Sequence, residues 1–237
     1  MKLADMTVRG FLNEMASDSP APGGGSAAAF CGAQGAGLAA MVASFTIGRK
    51  KFADFEENAI AVRDAELALV EKLITQIDKD TEAFNLVAAA FKMPKATDEE
   101  KAARSAAIQA GTLVSTEVPF ETMELALEAL RTAEKLLAGF NDGAASDLGV
   151  AGWNLLTCVK GAWLNVCINI GSLKDTAKAE DFRSRGKVIL KEAEEIAAAI
   201  AAKTEQIIGA AETISIPGGN SGDFFCLPAC GTGENAV

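Results

Sequence analysis

The sequence predicts an all-α fold whose helices pack closely through small side chains, and three observations predict it. Hydrophobic residues make up 49% of the 237-residue chain but aromatic residues only 6%, so alanine carries much of the apolar content. There are six prolines, and Val, Ile and Thr do not gather into the alternating runs of a half-buried strand. Apolar residues recur instead at three- and four-residue steps, the spacing of a helix face. The length suffices for one large domain with a substantial core.

Each helix has a start or stop signal. Thr7 serves as N-cap for a short helix to about residue 16, after which Pro20 and Pro22 hold the chain extended. A second helix is expected over residues 26–47 with Ser26 as its cap, ended by Gly48 and the cations Arg49, Lys50 and Lys51. A third and longer one covers 55–91 and stops before Pro94. Thr97 and Glu100 form a capping box for a helix to about residue 116, where Pro119 is expected to break or kink it before a fifth helix runs to about 138. Residues 139–143 read as a loop, 145–170 as an apolar helix and 175–210 as an amphipathic last helix. The organisation expected is one helical domain over residues 1–212. A Gly-, Pro- and Ser-rich tail, expected to be flexible, follows over 213–237 and contains Cys226 and Cys230.

Composition excludes several function classes. A net charge of −10 argues against nucleic acid as the partner. The chain has no histidine and no tyrosine, so acid–base chemistry falls to Asp, Glu, Lys, Cys or water, and a zinc site with imidazole ligands is excluded. The five cysteines show no CxxC or zinc-ligand spacing, and no metal site is expected. The charged opening MKLADMTVRG lacks a signal-peptide core, which with the cysteine usage points to a reducing cytoplasm. Residues 26–47 carry no charge and are long enough to span the roughly 30 Å of a bilayer core. They are mostly Ala and Gly with Gln34 in the middle, so a buried core helix is expected, with no membrane partner.

Within this frame a few residues stand out. On the third helix Leu73, Ile77, Asp80, Phe84, Val87 and Phe91 step by threes and fours, which puts a carboxylate in an otherwise apolar, inward row. A buried carboxylate needs a partner or a purpose, and the residues alone leave a structural and a functional Asp80 both open. Asp78 points elsewhere and is expected to be solvated. The stretch SPAPGGGS offers a helix entrance with Gly23, Gly24, Gly25 and Ser26, free of obstructing side chains, although a plain tight turn accounts for it equally. It lacks the spacing and the preceding strand of nucleotide loops. Lys50 and Lys51, and Lys95 with Lys92, are basic clusters on an acidic chain, suited to dipole compensation or to an anionic ligand tail. Asp147 opens a helix that carries Asn165 and Asn169 on one face, placed for interhelical hydrogen bonds or for a ligand.

Together, PAPGGGSAAA, SFTIGRKKF, IDKDTEAFN, AFKMPKATDEEKAAR, SDLGVAG and NVCIN resemble, in this order, the cyclodeaminase/cyclohydrolase family of folate enzymes over about residues 3–210. The resemblance implies an up-and-down multihelical bundle that dimerises, with folate sites near the subunit interface and no cofactor besides the folate substrate. It implies Asp80 as the catalytic carboxylate. It also implies that Gly23, Gly24, Gly25, Ser26, Lys50 and Lys51 line the folate site, the lysines facing the glutamate carboxylates of a folate that can be polyglutamylated; Lys95, Asp147 and Asn165 join them as expected binding residues. Phe52 stands where the family has Tyr, which removes one hydroxyl. The absence of a formimidoyltransferase segment favours methenyltetrahydrofolate cyclohydrolase. Formimidoyltetrahydrofolate cyclodeaminase is the alternative, and a non-catalytic folate-binding helical protein the second.

Overall fold

In the computed structural model, which describes residues 2–213, six α-helices account for most of the described residues and no strand occurs among them. They are α1 (Val8–Met15), α2 (Gly24–Thr46), α3 (Glu56–Phe91), α4 (Asp98–Glu134), α5 (Ala145–Ile170) and α6 (Thr176–Thr213). The expected tail over 213–237, with Cys226 and Cys230, lies outside the described residues apart from Thr213 at the end of α6.

Helix starts follow their caps. Thr7 Oγ1 accepts from the Gly10 amide, and Thr97 and Glu100 form the reciprocal capping box at α4. Successive long helices run antiparallel. Gly24 of α2 lies beside Asn165 of α5, and Gly35 beside Leu155; Gly25 faces Asp80 of α3, and Gly32 faces Leu73. Helix α2 is therefore the centre of the bundle, between α3 and α5. Its small residues set that distance: a Cβ on Gly32 would fall 2.7 Å from Cys158 Sγ, and one on Gly35 2.7 Å from Leu155 Cγ. The helix is long and apolar enough to cross a membrane, and its inward residues Ala29, Ala36, Ala39, Val42 and Ala43 are wholly buried in the protein core.

Three expectations need correction. Helix α4 runs through Pro119 unbroken. A proline there cannot donate to the carbonyl of Ser115, a loss that inside a helix costs about 3 kcal/mol. Asn169 Nδ2 donates to that carbonyl at 2.6 Å from α5 and restores its partner. Helix α2 begins two residues before Ser26, with Gly23 as its cap residue, so Ser26 sits in the first turn and does not cap. Finally, Asp78 is half-buried and accepts the Leu3 amide at 2.7 Å, tying the N-terminal segment to α3.

Candidate active site

The first turn of α2 meets α3 at Asp80. The Ser26 amide donates to Asp80 Oδ2 at 2.9 Å, and the Ser26 hydroxyl lies 3.0 Å from the same oxygen. Helix starts leave amides unpaired, and here the carboxylate of another helix supplies the acceptor that the glycine at the cap position lacks. The Ser26 hydroxyl also lies 3.0 Å from the Ile77 carbonyl and 3.5 Å from Thr81 Oγ1. A Cβ on Gly25 would fall 2.5 Å from Asp80 Cγ and closer still to Oδ1, so only glycine lets the carboxylate lie this close to the helix start. Burial pushes the proton affinity of Asp80 up, and its hydrogen bonds from Ser26 pull it back down.

On the other side of the turn, a Cβ on Gly24 would meet Asn165 Nδ2 at 3.4 Å, while Gly23 has open space around it. Asn165 donates to the Gly161 carbonyl at 2.9 Å within α5. The turn of Gly23, Gly24 and Gly25 is thus flanked by Asp80 and Asn165. Gly23 and Gly24 are exposed; Gly25 and Ser26 are buried. At 0% exposure the Ser26 side chain cannot touch a ligand, which corrects its expected role as a direct binding residue.

Helix α3 continues for eleven residues beyond Asp80 to Phe91, about 16 Å along its axis, past the point where α2 starts. This explains a further departure from expectation. Leu73 and Ile77 are buried as the inward row requires, but Phe84 and Phe91 are 42% and 57% exposed because the row runs past the start of α2. The face that carries Asp80 becomes an open apolar ledge beside the glycine turn. Lys95 is exposed in the α3–α4 connection at that same end.

The other expected residues lie elsewhere. Lys50 and Lys51 follow the far end of α2, roughly 34 Å from the glycine turn by helix rise over its 23 residues. Lys51 pairs with Asp142 at 2.7 Å, both side chains exposed. Asp147, in the first turn of α5, belongs to that same distant end, some 18 residues or roughly 27 Å from Asn165. One chain therefore brings together Gly23, Gly24, Gly25, Ser26, Asp80 and Asn165, with Lys95 beyond them, and does not bring Lys50, Lys51 or Asp147 to Asp80.

One unusual carboxylate escapes the sequence reading. Glu66 of α3 is wholly buried, and neither of its side-chain oxygens has a hydrogen-bond partner among the described residues. Burial first and the nearby charge of Glu128 second push its pKa up to about 9, with Lys135 opposing. The signal was available: Ala59, Val62, Glu66, Leu69 and Leu73 step by threes and fours just as the row around Asp80 does.

Residues 7–188 match the sequence profile of the formiminotransferase-cyclodeaminase family. The chain belongs to this family. It is 40% identical over 187 residues to a methenyltetrahydrofolate cyclohydrolase of Methylorubrum extorquens, covering 79% of this chain and 90% of that protein. It is 35% identical over 203 residues to the formimidoyltransferase-cyclodeaminase of Rattus norvegicus, covering 86% of this chain but only 38% of that longer protein. Its fold matches the crystal structure of a formiminotetrahydrofolate cyclodeaminase from Thermotoga maritima with a TM-score of 0.73 and 25% identity, over 89% of this chain and 100% of the other.

Proposed function

We propose that this protein is a methenyltetrahydrofolate cyclohydrolase, converting 5,10-methenyltetrahydrofolate to 10-formyltetrahydrofolate, with the folate as substrate and no further cofactor. The observation that carries the chemistry is the half-buried Asp80 carboxylate, held by Ser26 at a helix entrance that presents no side chains. The relative of matching length, at 40% identity over 90% of its chain, favours the cyclohydrolase.

The substrate is an amidinium cation with its charge spread over N5, the bridge carbon and N10. An ionised Asp80 in a partly water-excluded setting attracts that cation, and it accepts a proton as water adds to the bridge carbon. The neutral adduct then collapses: the C–N5 bond breaks, Asp80 returns its proton to N5, and the adduct hydroxyl loses its proton as the formyl C=O forms. One proton is released overall. Gly23 and Gly24 leave the approach open, Phe84 offers an apolar surface for a flat ring, and Asn165 supplies a polar group on the opposite side.

A homodimer belongs to this reading. Val150, Trp153, Leu164 and Ile168 form an exposed apolar stripe along α5, at 41%, 55%, 70% and 74% exposure, that a second copy would cover. Lys50, Lys51 and Asp147 lie far from their own Asp80, so the role of the two lysines toward a glutamate tail, and any contact of Asp147 with the ligand, requires the second copy. Lys95 is already at the Asp80 end. Free cysteines at Cys31, Cys158 and Cys167 suit the reducing cytoplasm proposed as its compartment.

Cyclodeaminase activity is the second reading, favoured by the Thermotoga maritima neighbour that the fold matches end to end. The same Asp80 would then serve as N10 closes on the formimidoyl carbon and ammonia leaves. Separate incubation with 5,10-methenyl- and 5-formimidoyl-tetrahydrofolate decides: loss of the methenyl absorbance without ammonia from the second substrate is the expected result. Competent ammonia release overturns the first reading, and binding without turnover of either substrate leaves a folate-binding protein.

A further inference from the structure

We propose that Ser26 is a positioning residue that grips Asp80 by Oδ2 and so makes Oδ1 the oxygen that takes and returns the proton. The inference rests on the reading that Asp80 carries the proton of the proposed reaction, and it adds which oxygen works and what decides it.

The two carboxylate oxygens are not equivalent. Two donors converge on Oδ2, the Ser26 amide at 2.9 Å and the Ser26 hydroxyl at 3.0 Å. Hydrogen bonds to an ionised acceptor are the strong ones, and both draw negative charge toward Oδ2 and make it the weaker base. Oδ1 lies over Gly25, with no hydrogen bond from the described residues. A proton delivered from the side of the glycine turn binds Oδ1 and leaves the Ser26 amide bond to Oδ2 in place.

The hydroxyl has a second use. It carries one hydrogen and has two acceptors at equal distance, Asp80 Oδ2 and the Ile77 carbonyl, both at 3.0 Å. Wholly buried, it has no water to turn to. While Asp80 is ionised the hydrogen points to the carboxylate. Once Asp80 is protonated the attraction weakens, and the hydrogen can rotate to Ile77 with no heavy atom moving. Both charge states of Asp80 are thus held in one place, as a group that receives and returns a proton requires. Without the hydroxyl, the terminal torsion of an aspartate is soft and the two oxygens would exchange roles more readily.

The test compares the wild-type protein with Ser26→Ala by carbon NMR of the Asp80 side-chain carboxyl across pH, alongside the pH profile of kcat/KM. Loss of the hydroxyl removes a bond that favours the charged form, so the Asp80 midpoint and the acid limb of the profile both move to higher pH. The expected fall in kcat is about tenfold or more, with KM within about twofold. An Asp80 midpoint identical in the two folded proteins overturns the proposal. If Ser26→Ala does not fold, the wild-type amide proton of Ser26 decides. It should titrate with the Asp80 midpoint, and a flat response overturns the proposal. Failure of the underlying reading would look different: turnover surviving in Asp80→Asn, with the Ser26 amide still following Asp80 ionisation in the wild type.

Discussion

The start and the end of α2 hold the two groups of residues that the sequence marks out, and they are built on opposite physical plans. At the start, a turn of glycines leaves room for a carboxylate from α3, and backbone and hydroxyl donors hold it half-buried against the helix entrance. At the far end, Lys50 and Lys51 stand in solvent, and the Lys51–Asp142 pair is 69% and 54% exposed. A charge in the first setting responds strongly to each neighbour, because low polarisability magnifies every hydrogen bond and every lost one. A charge in the second is screened by water and salt and is worth little to its neighbours. The first end is suited to chemistry. The second is suited to reaching a mobile anionic group on a ligand.

The sharpest way to break this contrast is to neutralise Asp80. Asp80→Asn keeps the shape and can still accept from Ser26, but it cannot take a proton, so single-turnover rates should drop by about a hundredfold to ten-thousandfold. A rate near wild type would remove Asp80 from the chemistry. Gly25→Ala comes next. Its new Cβ must displace the carboxylate, and a misplacement of about 1 Å costs about a hundredfold in rate. Gly23→Ala, with nothing nearby to meet, should leave the rate within about twofold, and equal losses in both would mean the turn matters only as backbone.

Glu66 sharpens the comparison from the first half of α3, as a buried carboxylate with no donor among the described residues. Its folded pKa of about 9 lies above the 4.5 of an ordinary glutamate. The folded state therefore holds the proton that the unfolded chain releases, and stability is full below about pH 4.5 and lost as pH rises toward about 9. Glu66→Gln should raise stability at pH 7 by up to about 3 kcal/mol and change it little at pH 4. Denaturant midpoints at the two pH values measure this, and an equal effect at both would show that Glu66 is not protonated in the fold. The smallest effect belongs to Lys51→Ala. Losing an exposed pair should cost less than about 1 kcal/mol in a melting experiment. A rise in KM for polyglutamylated folate alone would assign this end to the ligand tail.

The helical character, the caps at Thr7 and Thr97 and the central place of residues 26–47 were all legible in the sequence, because they depend on local periodicity and on side chains near their own backbone. The site was legible in part. The row through Leu73, Ile77 and Asp80 located the carboxylate, since a charge in an apolar stripe is a local anomaly. The same row misled at Phe84 and Phe91, because periodicity says which face a residue occupies and not whether another helix is still there to cover it. Ser26 was legible as a residue at a helix start, but not as the partner of a carboxylate 54 positions away. The family resemblance grouped Lys50 and Lys51 with the glycine turn, and within one chain a rigid helix of 23 residues keeps them apart.

The repair of α4 at Pro119 has a consequence for how this chain can change. Asn169 is needed because the proline leaves the Ser115 carbonyl without its helical donor. Replacing Pro119 by alanine first would return that donor and free position 169 to drift. Replacing Asn169 first would strand a carbonyl inside the bundle, at a cost of about 1–3 kcal/mol. The two positions therefore form a ratchet in which the order of substitution matters, and the melting points of Asn169→Leu with and without Pro119→Ala would show it as an antagonistic pair. A residue that looks like an ordinary polar contact between helices is in effect the licence for a proline in the neighbouring helix.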